Sequence, residues 1–317
     1  MHFYNPVQAR LLLISFCSAF LFPAQLYCQH FTTVRTHEGV EISENNKKVL
    51  FYQQQPKSLD GKYARAGYVH PLYSLHEKIL TEEFAEDHPY HRGIFWAWHQ
   101  IMLKGKKIAD GWMSENISWQ PVQLKIIKNE KLLTLQSKML WKCVLQNNKP
   151  TAIIKEDTKI TVYKSTGRYR AIDFDIHLAA LVDSLEIGGS DDAKGYGGFC
   201  LRLKLPADIS FVSNNTAITP METPVTAGPW MDFRGSFDNE TSSKTSVAVF
   251  CNPSGSQLPQ QWILRKEASM QNIPYPGRTP VALTKNGLRI TYRIIVHDAG
   301  MSNDDLEKLY QQYIHKL

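Results

Sequence analysis

From Val40 to about residue 300 the apolar residues recur at close to every second position, and no run of ten or more residues there shows a helical period. Successive side chains of a strand point to opposite faces, so this alternation demands sheets with one face buried. Val122–Ile127 and Leu132–Trp141 flank Lys128-Asn129-Glu130-Lys131, which reads as a hairpin turn. Ile160–Tyr163, Tyr169–Leu178, Phe199–Leu205, Thr245–Phe250 and Leu288–Val296 read as further strands. Thr166-Gly167, Gly188-Gly189, Gly197-Gly198, Pro253-Ser254-Gly255 and Asn286-Gly287 supply the turns. Several strands run to about nine to eleven residues, which favours large sheets. After residue 300 the period changes. Ser302 or Asn303 can cap a helix, Asp304 and Asp305 suit its first turn, and Leu306, Leu309, Tyr310 and Tyr313 form one stripe. The fold expected is all-β: a large antiparallel β-sandwich with a C-terminal helix. At roughly 100–200 residues per domain, 317 residues allow two domains, but one large sandwich can take them all. A single domain over residues 30–317 is the expectation, with two fused sandwiches as the alternative.

The first 29 residues stand apart. Arg10 precedes Leu11 to Phe22, about twelve mostly apolar residues, which reads as a secretory signal peptide. That is short of the roughly 20 residues a membrane span needs, and no later stretch reaches them. The expectation is an exported protein, periplasmic or extracellular, with no membrane span in the mature chain. Lipidation at Cys28 is disfavoured because Tyr27, not a small residue, precedes it. Cys143, Cys200 and Cys251 remain, an odd number in strand-like runs without a CxxC pair, and read as buried free thiols. The net charge of +6 is scattered, so no nucleic-acid face is expected.

In Arg168–Ala180, Ile172, Phe174, Ile176 and Leu178 alternate onto one face, which leaves Asp173, Asp175 and His177 on the other. Side chains two apart on a strand stand about 6.6–7 Å from each other. Such a row either lines a polar groove or forms a solvated face neutralised across strands by residues such as Arg202 or Lys159.

The densest chemistry lies in Glu86-Asp87-His88-Pro89-Tyr90-His91-Arg92-Gly93, followed by Ile94-Phe95-Trp96-Ala97-Trp98-His99. Imidazoles titrate near neutral pH and can exchange protons or bind a metal. Gly93 allows a close approach or bend at the start of the strand. His88 and His91 can converge in the loop. His91 and His99, eight residues apart on one regular strand, would stand roughly 26 Å from each other. A second cluster, Trp230-Met231-Asp232-Phe233-Arg234, suits a sugar: the indole stacks on a ring while acid and guanidinium bind hydroxyls. Trp98 and Trp112 offer further platforms, His297 ends a strand, and Glu222 is a candidate base. There is no GxGxxG after a strand, no GxxxxGK[ST] and no GxSxG, which disfavours nucleotide cofactors and serine-hydrolase chemistry. The sequence requires no cofactor and leaves a divalent metal open.

Five landmarks in order resemble a family of exported bacterial proteins of unknown function, DUF6807-like, filed under the name methane oxygenase PmoA. They are His88-Pro89-Tyr90-His91-Arg92-Gly93; Tyr196-Gly197-Gly198-Phe199 with Leu201-Arg202; Trp230 to Gly235; Trp262-Ile263-Leu264-Arg265; and Tyr292-Arg293 leading to His297-Asp298. The family usually has a second His where this chain has Tyr90. The resemblance implies the large sandwich of galactose-mutarotase-like and polysaccharide-active proteins, in which a broad sheet binds sugar. On that basis the expected function is action on a sugar or oligosaccharide by His/carboxylate proton transfer, as an epimerase, lyase or hydrolase. A non-catalytic glycan-binding module is the alternative, and a metal-dependent oxidoreductase is a third reading. The candidate catalytic residues are His88, His91, Arg92, Asp173, Asp175, His177 and Glu222. The candidate substrate contacts are Trp98, His99, Trp112, Arg202, Trp230, Asp232, Arg234 and His297.

Overall fold

The computed structural model describes residues 1–3, 30–145, 148–237, 245–252, 260–267, 270–298 and 300–315. Most of the expected export signal, Cys28 and the expected turn at Pro253–Gly255 lie outside the described residues.

Two large antiparallel sheets dominate the described residues. One has seven strands in the spatial order Phe31–Arg35, Gly39–Glu44, Lys47–Gln53, Tyr68–Leu72, Ile94–Trp98, Gly197–Arg202 and Met270–Pro274. The other has nine, in the order Ser118–Lys128, Leu132–Val144, Pro150–Tyr163, Tyr169–Ala180, Leu288–Asp298, Thr245–Cys251, Trp230–Arg234, Ser210–Ser213 and Thr216–Ala217. The hairpin expected around residues 128–131 is present, with Lys128 opposite Leu133. Alternation places Ile172, Phe174, Ile176 and Leu178 in the same hydrophobic core as Ile94, Trp96, Trp98, Phe199 and Leu201 of the seven-stranded sheet. The two sheets therefore bury one face each against the other, which makes a β-sandwich. Cys143, Cys200 and Cys251 are free and buried.

Each sheet also has an outer face. Over the nine-stranded sheet lies the helix Asn303–Ile314, capped by Ser302 with Asp305 completing a capping box. Its stripe of Leu306, Tyr310 and Tyr313 packs on Ala171, Trp230, Ala248, Phe250 and Ile295. The outer face of the seven-stranded sheet carries Tyr68, Phe95, Ala97, Cys200 and Met270, and Trp112 packs on them. No helix among the described residues is long and apolar enough to cross a membrane.

Candidate functional site

The loop ahead of Ile94–Trp98 folds over that outer face. Its turns close through His88 N–H to Ala85 O at 3.1 Å and His91 N–H to His88 O at 3.0 Å. Gly93 must be glycine, since a Cβ there would meet Val69 O at 2.3 Å. Arg92 is fully buried and donates to the carbonyls of Pro89 (2.6 Å), His91 (2.9 Å) and Tyr63 (2.5 Å), with its guanidinium 3.8 Å from the Phe84 ring centre. Arg65 does similar work opposite. It donates to the carbonyls of Gly111 and Trp112 and lies over the Phe95 and Trp119 rings.

Loop and sheet together enclose a cavity of about 240 Å³. Three imidazoles, His88, His91 and His99, line it with Trp112, Tyr90, Tyr196, Met270, Lys194, Arg202 and Arg265. The rings interlock. His88 stacks on His91 at 4.8 Å, the His91 edge meets Trp112 at 5.6 Å, and His99 stacks on Trp112 at 5.1 Å. His91 and His99 are thus joined through one indole and share a cavity, contrary to the spacing expected of a continuous strand. The regular strand covers only Ile94–Trp98, and both histidines lie beyond its ends.

Each imidazole has its own partner. His99 Nδ1 lies 3.0 Å from Asp110 Oδ2, whose other oxygen accepts the backbone N–H groups of Trp112 and Met113 at 2.9 Å each. Burial pushes the Asp110 carboxyl up, but the bonds from His99 and Met113 outweigh it and hold the acid below its ordinary range. An Nδ1–H donated to Asp110 leaves His99 Nε2 as a base. His88 Nδ1 pairs in the same way with Asp87 Oδ2 at 2.8 Å. Burial raises Asp87, yet the hydrogen bonds from His88 and Arg202 bring it to about 2. His91 is different. Arg202 Nη1, a pure donor, faces its Nδ1 at 3.3 Å, so the ring proton sits on Nε2. Burial first, then the positive neighbour Arg202, depress His91 to about 2, so it is neutral at working pH. Arg202 is the hub, reaching Glu82 Oε2 at 3.0 Å and Asp87 Oδ1 at 2.5 Å as well.

His88, His91, His99, Trp112 and Arg202, named from the sequence, therefore meet in one place. The others do not. Arg92 is buried behind the loop, donates to the carbonyls of Pro89, His91 and Tyr63, and does not line the cavity. Trp98 is a core residue between the sheets and donates Nε1–H to Tyr275 O at 2.7 Å. Trp230, Asp232, Arg234 and His297 lie on the outer face of the other sheet and serve the C-terminal helix. Trp230 donates to Glu307 at 2.7 Å, Arg234 binds Asp232 at 2.5 Å and also Asn303, and His297 Nε2 stands 3.1 Å from Asp232. The expected sugar platform is thus the seat of the helix, because Trp230 and Asp232 are fully buried. Asp173 and Asp175 are each gripped by a guanidinium through two bonds, from Arg293 and Arg289 respectively. The neutralising partners are these arginines of the neighbouring strand rather than Arg202 or Lys159. Asp175, His177 and Arg289 line an open groove of about 660 Å³ on that sheet, far in sequence from the histidine loop. Glu222 lines a second cleft, of about 600 Å³, which shares Lys194 and Arg265 with the histidine cavity.

Tyr196, Arg265, Lys194 and Asp110 were not singled out as site residues from the sequence. Tyr196 and Arg265 stand inside two of the landmark motifs, and Asp110 precedes the Gly111-Trp112 pair, so the signal was present. Nothing local to those segments tells which face their side chains join. Among the described residues no group of three or more His, Cys, Asp or Glu is placed to hold one metal ion.

The family described as "Family of unknown function (DUF6807)" matches residues 39–311. No curated protein matches. Among solved structures, the chain is similar to the Heparinase III-BT4657 gene product, at 11% identity and TM-score 0.33, over 87% of this chain and 35% of that one. It is also similar to the heparan sulfate lyase HepC from Pedobacter heparinus, at 6% identity and TM-score 0.33, over 86% of this chain and 36% of that one. The chain therefore spans about a third of the length of these two. A third structure, the GalM/aldose epimerase homologue from C. elegans, aligns over 86% of this chain and 100% of its own, at 7% identity and TM-score 0.28.

Proposed function

The chain belongs to DUF6807, a family of unknown function, and from the geometry of its histidine cavity we propose that it acts on a single sugar ring by imidazole proton transfer, as an exported protein if the apolar run after Arg10 serves as its export signal. The observation that carries this reading is the pairing of opposite imidazole states around Trp112. His99, oriented by Asp110, offers Nε2 as a base, while neutral His91, fixed by Arg202, offers Nε2–H as a donor. One can take a proton from the ring or its hydroxyl while the other holds an oxygen that gains charge. Imidazolium formed at His99 is stabilised by the buried Asp110 carboxylate.

The lining narrows the chemistry. Hydrolysis by two carboxylates needs two acids flanking one bond. The cavity is lined by none; Asp87 and Asp110 stand behind His88 and His99 as orienting groups. Epimerisation or elimination through imidazoles fits better than two-carboxylate hydrolysis. At about 240 Å³ the cavity is smaller than the roughly 300–1,000 Å³ of a pocket for a drug-sized ligand, so it suits one ring rather than a chain. The test is turnover and binding across a panel of monosaccharides, sugar acids and short oligosaccharides, with His99→Ala and His91→Ala in parallel. The expected result is a sugar that binds both variants but is turned over only by the parent chain. Binding of a sugar without turnover by the parent chain would make the protein a binding module.

A further inference from the structure

The charge of the histidine cavity is one-sided. Lys194, Arg202 and Arg265 line it without any carboxylate among the lining side chains. Arg202 is compensated by Glu82 and Asp87. Arg265 is held differently. Its Nη1 donates to the carbonyls of Met221 (2.6 Å) and Leu264 (2.8 Å), and its Nη2 donates to the carbonyl of Glu222 (2.8 Å). Three carbonyl oxygens fix a guanidinium in place but leave its full positive charge. The guanidinium also lies over the Tyr196 ring, 5.5 Å from its centre.

The donors left over are informative. A guanidinium has five N–H groups in a rigid fork. Three of these bond to carbonyls and the Tyr196 hydroxyl takes a further hydrogen bond from the guanidinium, so the fork is anchored without any carboxylate and keeps an N–H for a ligand. Elsewhere in this molecule guanidinium groups take carboxylates twice. Arg293 grips both oxygens of Asp173 through Nε and Nη2, and Arg289 grips Asp175 in the same way. Side-on Arg–carboxylate pairs of this kind are the strong, geometrically specific ones. Lys194 adds a second positive charge beside it. Its backbone N–H is tied to Asp192 Oδ1 at 2.8 Å, and its exposed side chain forms no ion pair among the described residues. In the adjoining cleft Glu222 and Glu267 face Lys194, Arg265 and Lys266, so the cations outnumber the acids there too.

We infer that the ring taken by this cavity carries an acid group, held by Arg265 with Lys194 beside it: the ligand is a uronic acid rather than a neutral sugar. This rests on the single-sugar reading above. Arg265 closes one wall of the cavity and also lines the neighbouring cleft, so it sets where the acid group stops.

The experiment is calorimetric titration of the whole chain with D-glucuronate, D-galacturonate, D-mannuronate and L-iduronate. Each is matched to glucose, galactose, mannose or idose. Arg265→Gln and Lys194→Gln are titrated alongside, their folding checked by circular dichroism. Lys194 is exposed, so its variant tests the charge even if the Arg265 variant unfolds. The expected result is one uronate bound at least tenfold more tightly than its neutral parent. Its affinity should fall about tenfold or more in Arg265→Gln, fall severalfold in Lys194→Gln, and weaken as salt is added. Equal binding of acid and neutral parent would overturn the acid-group assignment and leave the sugar reading standing. Binding of no sugar of either kind would overturn both.

Discussion

Arg202 Nη1 stands 3.3 Å from His91 Nδ1, and both side chains are buried. A guanidinium only donates, so this contact both fixes the tautomer of His91 and opposes its protonation. His91 is held at about 2, by burial first and Arg202 next. In the unfolded chain the ring titrates at about 6.5. Between those values the unfolded state binds the more protons, so folding stability is full above pH 6.5 and falls as pH drops. The slope from this one ring is up to about 1.4 kcal/mol per pH unit. His91→Gln removes it. Urea unfolding at pH 7, 6 and 5 is expected to show the variant losing less stability than the parent on acidification. Parallel pH profiles would mean that the folded ring takes up its proton near pH 6.5.

Asp110→Asn keeps an oxygen for the Trp112 and Met113 amides but loses the carboxylate that orients His99. Turnover on the identified sugar is expected to fall about 10²-fold or more, with binding changed little. A variant with weakened binding and unchanged turnover would place His99 outside the chemistry.

Arg92→Ala acts on folding rather than on affinity. It leaves the carbonyls of Pro89, His91 and Tyr63 without their donor, at a cost of about 1–3 kcal/mol for each that stays unsatisfied. Chemical denaturation is expected to show that loss. A fully stable variant that binds sugar weakly would return Arg92 to the ligand.

Glu156 lies between the sheets, its Oε2 accepting the indole N–H groups of Trp96 (3.0 Å) and Trp141 (2.8 Å) and its Oε1 the Thr158 hydroxyl (2.7 Å). Burial raises its pKa despite these donors. A raised value means the folded state binds the more protons, so this stabilisation is full below the unfolded value and is lost as pH rises through the folded one. Glu156→Gln is expected to match or exceed the parent at pH 8, whereas Glu156→Ala loses about 1–3 kcal/mol for each stranded indole N–H. Thermal melts at pH 5 and pH 8 distinguish the two; a Gln variant weaker than the parent at pH 8 would show that the carboxylate stays ionised there.

The C-terminal helix is held by a capping box and one apolar stripe. Ser302→Ala is expected to cost about 1 kcal/mol, and Leu306→Ala about 2–5 kcal/mol, because Leu306 is fully buried against the sheet. Guanidinium unfolding measures both. If the Leu306 variant were as stable as the parent, the helix would not be part of the cooperative unit.

Alternation and capping are local properties, and they were legible. Ile172, Phe174, Ile176 and Leu178 had to share a face because strand geometry repeats every two residues, and Ser302 to Tyr313 had to form a helix because their spacing repeats every three to four. From the sequence alone came the all-β class, the hairpin at residues 128–131, the terminal helix and the dense histidine loop. What covers each outer face is not local. Trp230 and Asp232 look as fit for a sugar as Trp112 and His91, yet a helix some seventy residues away in sequence lies over the first pair, while a loop leaves a cavity beside the second. The same is true of His99 and His91, whose shared cavity depends on where a short strand stops and how Trp112 returns to it. Arg265 enters the cavity only because Met270–Pro274 pairs beside Gly197–Arg202. A period-two pattern tells which residues leave the core; only the packing of distant segments over that outer face decides which of them meet a ligand and which meet the protein itself.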